Sequence, residues 1–220
     1  LVRTAITGEV WEAINATYMT ARELLSRKVS ERDLPAVLRR IRQNTALVRG
    51  MVHGTMLRNE IYDFLRLGTF LERADNTARL IDVKYFVLLP SLSYVGSGLD
   101  QSQWMTLLQS MSAERAVMWT YTGEITAASI VDFLILNPQF PRSLLSSVQW
   151  TNDHLDGLAR VYGRATPAQV ESRKVLADLA ETRVDDIFDE GLHEFLARFL
   201  GRNATMAALV QDSYLRGTPA

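Results

Sequence analysis

The stretch FLRLGTFLERADNTARLIDVKY, residues 64 to 85, decides how the rest of the chain is read. With successive residues turned about 100° around a helix axis, Phe64, Leu67, Leu71, Ala74, Ala78 and Ile81 fall on one stripe. That three- and four-residue spacing predicts an amphipathic helix with a covered side. Six charges sit among these apolar residues: Glu72, Arg73, Asp75, Arg79, Asp82 and Lys84. Asp75, Asp82, Gly68, Arg79 and Glu72 fall at the edge of the stripe, whereas Arg66 and Arg73 share a different side. Asp75 is within reach of Arg79, and Arg79 of Asp82. Glu72 and Arg73 are adjacent and diverge, so they cannot pair with each other. They are expected to reach two different neighbouring helices, with Asp75, Arg79 and Asp82 as an inward polar cluster beside them. Two readings of this margin stand side by side. One is an ion network that fixes how helices cross; the other is a polar pocket for a small charged ligand or a partner's side chain.

Outward from this helix the same periodicity recurs. EVWEAINATYMTARELL repeats Val10, Trp11, Ile14, Tyr18, Ala21 and Leu25 at helical steps. Ser30 and Asp33 resemble a capping box, and Pro35 suits the first turn of the helix that follows. The central helix is expected from Glu60 to about Leu88 or Leu89, where Pro90 stops it. SLSYVGSGLDQS reads as a loop, followed by helical WMTLLQSMSAERAVMWTY, a short ASIVDFLIL, the turn NPQFPRS and the long LLSSVQWTNDHLDGLARVY. Thr166 and Pro167 open another helix, and IFDEGLHEFLARFLGRNATMAALVQDSYL closes the chain as one more. VDFLIL is strand-like but has no partner. The fold class is therefore all-α, a multi-helix bundle of seven or eight helices with no sheet, in which helix–helix packing buries the apolar stripes. No linker divides it, so residues 1–220 are expected to form a single domain. The chain starts inside a helical pattern at Leu1, which suggests a truncated N-terminal part.

Composition narrows the function classes. The chain has 24 Lys and Arg against 25 Asp and Glu, so it lacks the basic excess expected of a nucleic-acid binder. It contains no cysteine, which removes thiolate metal sites, cysteine nucleophiles and disulfides. No apolar run approaches the ~20 residues of a membrane span, and no signal peptide is visible, so a cytoplasmic setting is expected. Glu190 and His193 form an E-x-x-H pair, half of a di-iron carboxylate signature. Neither His53 nor His154 has a Glu three residues before it, so no metal is expected. His154, between Asp153 and Asp156, reads either as a base held by a carboxylate or as part of a solvated face. Trp11, Trp104, Trp119 and Trp150 fall at helical apolar positions and are read as core. In NPQFPRS, Pro141 is expected to start a helix with Arg142 in its first turn. A cation there opposes the helix dipole and hints at an anionic partner.

Together, FLRLGTFLERADNTARLIDVKY, GEVWEAINATYMTARELL before it and DFLILNPQFPRSL after it resemble the bacterial all-helical alpha-E domain. That family is named for a Glu-Arg motif, here Glu72-Arg73, and the three blocks occur in family order across most of the chain. Family members usually begin with a further helix carrying a similar motif, which this sequence lacks. The resemblance implies a setting: alpha-E domains occur fused to, or encoded beside, circularly permuted ATP-grasp proteins and transglutaminase-like proteins. A role follows as an expectation, that of a non-catalytic accessory or scaffold domain of an ATP-dependent amide or peptide ligase, with no cofactor of its own. The ligase or the transglutaminase-like protein would be its partner in cis or in trans, and a homodimer is among its expected forms. Two alternatives stand beside this. One is an enzyme using Glu72, Asp75 and Asp82 for acid–base chemistry, with Arg73 and Arg79 holding an anionic substrate. The other is an architectural oligomerisation module. Arg66, Asn76 and Arg142 complete the candidate set as ligand or partner contacts.

Overall fold

A computed structural model describes residues 2–86 and 97–215. Among them lie ten α-helices and no strand. They are α1 (Gly8–Leu24), α2 (Leu34–Thr55), α3 (Glu60–Phe86), α4 (Gly98–Ser110), α5 (Glu114–Thr120), α6 (Ala127–Leu136), α7 (Leu144–Tyr162), α8 (Pro167–Glu181), α9 (Val184–Glu190) and α10 (Leu192–Val210). A 3₁₀ turn, Val2–Ala5, precedes them and a π turn, Gln211–Leu215, follows. The all-α expectation holds, but the count is ten rather than seven or eight.

Two backbone breaks account for the difference. In WMTLLQSMSAERAVMWTY, Ser112 adopts φ 55°, which no helix interior accepts. The chain turns there, and α5 starts afresh at Glu114. In the C-terminal segment Gly191 sits at φ 99°, ψ 124° and separates α9 from α10. Glycine is the residue that reaches this region without steric cost. VDFLIL belongs to α6. Thr126 accepts the backbone N–H of Ser129, and Ser129 accepts that of Thr126, a reciprocal cap. Ile130, Val131, Phe133, Leu134 and Ile135 are all buried, so α6 is covered all round, which is why its sequence lacks helical periodicity.

The chain divides into two units, Leu1–Tyr62 and Asp63–Ala220. The first is the α1–α2 hairpin with a small cluster around Val10, Met56 and Tyr62. Ser30 and Asp33 bond each other in the connecting turn, and Asp33 is the residue before α2, with Pro35 in its first turn as expected. The second unit buries α6 at the centre of a core to which α3, α4, α7, α8, α9 and α10 contribute. Within α3 the predicted stripe is covered from Leu67 on: Leu67, Leu71, Ala74, Ala78 and Ile81 are buried, together with Phe70, while Phe64 is half-buried. Burial of that order is worth roughly 1.5–3 kcal/mol for each large side chain. The predicted stop at Pro90 and the loop up to Gly96 lie outside the described residues. The remainder of that expected loop is not loop: Ser97 caps α4, which begins at Gly98. No described helix is long and apolar enough to cross a membrane.

Candidate functional site

The middle of α3 meets the turn between α6 and α7, and the chemistry of that contact is carried by carbonyls. The turn is stiff. Asn137 Oδ1 accepts the backbone N–H groups of Gln139 and Phe140, at 2.8 and 3.0 Å. Ser143 Oγ donates back to the carbonyl of Asn137 at 2.5 Å and caps α7 by accepting from Ser146 N. So fixed, the turn offers two carbonyls to α3. Arg73 Nη1 donates to the carbonyl of Pro141 at 3.0 Å, and the buried Thr77 hydroxyl donates to that of Arg142 at 2.8 Å. From the other flank, Asn203 Nδ2 on α10 donates to the carbonyl of Leu71 at 2.9 Å. Helix α7 starts at Leu144, after its cap Ser143. Arg142 therefore precedes the helix instead of lying in its first turn, and the expected clash with the helix dipole does not arise.

The Glu-Arg step divides. Arg73 is half-buried, its guanidinium 5.2 Å from the centre of the Phe70 ring and tied to Pro141. Glu72 turns about 100° away, is exposed, and meets no cation among the described residues. The expected clamp, with each residue of the pair gripping a separate helix, is thus wrong for Glu72. Arg73 grips the turn through the Pro141 carbonyl. Asn76 and Arg79 are exposed with Glu72 along one face of α3. Arg79 binds Asp75 through Nε at 2.7 Å and Nη2 at 3.1 Å, the one expected pairing within the helix that forms. Its partner is half-exposed, so the cluster expected to face inward lies at the surface. Asp82 leaves this group and receives His193 Nδ1 of α10 at 2.6 Å. That hydrogen bond, and then the carboxylate's charge, raise the His193 pKa above its ordinary value. Arg66 also lies over the Phe70 ring, 4.5 Å from its centre.

Other polar pairs, like Asp82–His193, were not foreseen from the sequence. His154 neither leans on Asp153 or Asp156 nor faces solvent. Its Nδ1 pairs with Asp63 Oδ1 of α3 at 2.7 Å, and its ring stacks on Phe70, centroids 5.7 Å apart. Phe70 in turn stacks on Trp150 at 5.8 Å. Gly157 leaves room for the Asp63 carboxylate, since a Cβ there would lie 3.0 Å from its Oδ2. Lys84 and Asp100 form a buried ion pair. Lys84 lies 4.0 Å from the centre of the Trp104 ring, and burial lowers its pKa against the opposing pull of Asp100. Tyr121 donates to Asp132; burial and then that bond push its hydroxyl well above its usual range. Of the four tryptophans read as core, only Trp104 is buried: Trp11 is half-buried, Trp150 is half-exposed and Trp119 is 82% exposed.

Trp119 stands over a groove of about 480 Å³ whose other walls include Phe133, Asn137, Phe140 and Pro141. The turn tied down by Arg73 is therefore also one wall of a surface depression. Glu190 and His193 do not converge on a metal: Glu190 binds Arg198 at 2.5 and 2.8 Å, and His193 binds Asp82. Among the described residues no three His, Asp or Glu side chains gather in a metal-holding group.

The chain is thus an all-helical protein whose central helix carries a Glu-Arg step, with the arginine turned inward and the acid outward. It belongs to the Alpha-E family, described as a predicted alpha-helical domain with a conserved ER motif, and the match covers residues 1–215. No curated protein and no solved structure matches it. Three Glu-Arg steps occur in the sequence. Glu31-Arg32 lies in the α1–α2 connection and Glu114-Arg115 opens the short α5. Glu72-Arg73 sits inside a long helix and ties it to another element.

Proposed function

We propose that this chain is a non-catalytic accessory domain of a bacterial, cytoplasmic ATP-grasp-type amide or peptide ligase system, acting in cis or in trans, with Glu72-Arg73 as the family's motif. The observation that carries this reading is the division within the motif. Arg73 is committed to the Pro141 carbonyl, while Glu72 and Asn76 are presented to solvent beside a turn that also walls the Trp119 groove. A motif arranged so holds a surface in shape and offers an acid to something outside. The enzyme alternative needs Glu72, Asp75 and Asp82 to converge on one substrate. Instead Glu72 is open, Asp75 is bound by Arg79 and Asp82 by His193.

The test is copurification with an ATP-grasp ligase from the same genome, followed by ligase turnover with and without the domain. The expected result is a complex, and turnover that depends on it. Glu72→Ala should weaken the dependence while leaving the domain folded. Product formed by the isolated domain from the ligase's substrates would establish the enzyme alternative, and the absence of both complex and effect would end the accessory reading.

A further inference from the structure

The α1–α2 hairpin exposes more large apolar side chain than two helices packed only on each other can hide. Val10, Ala13, Thr17 and Leu24 are the least exposed positions along one line of α1, and Val37, Ile41 and Val48 along one line of α2. Those lines face each other across the hairpin. Ile14 and Tyr18 on α1, with Leu25 just after its end, lie roughly a quarter turn away, and Leu34 and Leu38 lie rotated in the same sense on α2. The helices run antiparallel through a short connection, so equal rotations bring both sets to the same side. The result is one apolar face, with Ile14 at 40%, Leu34 at 44%, Leu38 at 55% and Tyr18 and Leu25 at 59% exposure. Contiguous apolar surface of this kind marks an interaction site.

The rim says what covers it. Arg22 on α1 and Arg42 and Arg49 on α2 flank this side, all exposed and in no ion pair among the described residues. Glu9, Glu12 and Glu23 turn to the other side of α1 by the same 100° steps, and α2 carries no acid at all. Residues 1–62 hold ten Lys and Arg against six Asp and Glu, a net +4 inside a chain of net −1. A second copy pairing through this face about a two-fold axis would bring two arginine-rimmed faces together, setting like charges against each other, which is unfavourable.

We infer that this face docks an amphipathic helix of a partner protein, one with an apolar stripe bordered by Asp or Glu. The helix lies along the groove between α1 and α2, its apolar stripe on Tyr18, Leu25 and Leu38 and its acids on Arg22, Arg42 and Arg49. This is helix-in-groove recognition with a charged border that sets partner choice. It does not depend on which enzyme system the domain serves.

The experiment uses the full chain and two synthetic helical peptides with leucines at the same three- and four-residue spacing. One is bordered by glutamates and the other by lysines, and fluorescence anisotropy follows binding. The glutamate peptide should bind at least about tenfold tighter than the lysine peptide, with an advantage that shrinks in high salt. Tyr18→Ala with Leu38→Ala should weaken it about tenfold or more, and Arg42→Glu with Arg49→Glu should reverse the preference. These are surface positions, and unchanged circular dichroism would show that the variants fold. Equal binding of the two peptides, or none, overturns the proposal. So does binding to phosphatidylglycerol vesicles without binding to the peptide. A dimer in light scattering that Tyr18→Ala dissolves would assign the face to a second copy and equally overturn it.

Discussion

Lys84 and Asp100 show how little of the polar structure a single helix discloses. Both are almost wholly buried and each neutralises the other. Removing either leaves an uncompensated charge in the interior, typically costing ~3–5 kcal/mol. Lys84→Ala and Asp100→Ala should each lower the denaturation midpoint accordingly, and Lys84→Met combined with Asp100→Leu should cost much less. A single variant with wild-type stability would show that the pair is not buried in solution. The Asp82–His193 pair gives a pH signature. The folded His193 pKa is raised above its unfolded value of about 6.5. Its stabilising contribution is therefore complete below about pH 6.5 and is lost as pH rises through the higher folded value. The stability gap between wild type and Asp82→Asn should be present near pH 6 and narrow in alkaline solution; a gap that widens with pH would refute the pairing. Sequence spacing disclosed Asp75–Arg79 because four residues make one helical turn. It could not disclose Asp63–His154 or Asp82–His193, whose members are 91 and 111 residues apart and meet only once α7 and α10 have packed on α3.

Helix boundaries followed the same logic. Periodicity located α1, α2, α3 and α7 because each has one covered and one open side, and Thr166 with Pro167 located the start of α8. It ran α4 into α5 and α9 into α10, since the residue that breaks each pair does so through φ and not through polarity. Ser112 in particular has no sequence mark, because serine is ordinary in a helix surface. Gly191 had such a mark, and its role is testable. Its φ of 99° with ψ of 124° is a region side chains rarely adopt, and a Cβ would also crowd the Glu194 carboxylate. The carboxylate can swing aside, but the backbone cannot relax without moving α9 against α10. Gly191→Ala should therefore cost ~1–3 kcal/mol in chemical denaturation. A neutral or stabilising outcome would mean that α9 and α10 can run on as one helix.

Across the whole chain, charge is divided more sharply than the near-neutral total suggests. The first unit is net basic, while residues 63–220 carry fourteen Lys and Arg against nineteen Asp and Glu. Each unit presents a surface of its own: the basic-rimmed apolar face of the hairpin, and the face of α3 that exposes Glu72, Asn76 and Arg79. The Glu-Arg step is split, its arginine holding the α6–α7 turn and its glutamate exposed. Urea denaturation of Glu72→Ala and Arg73→Ala beside the wild type tests it most directly. Losing the Arg73–Pro141 bond should cost ~1–3 kcal/mol, whereas losing an exposed acid without a partner should leave stability within ~0.5 kcal/mol of wild type. If Glu72→Ala proves the more damaging of the two, or both fall equally, the glutamate is a structural clamp after all and the division drawn here is wrong.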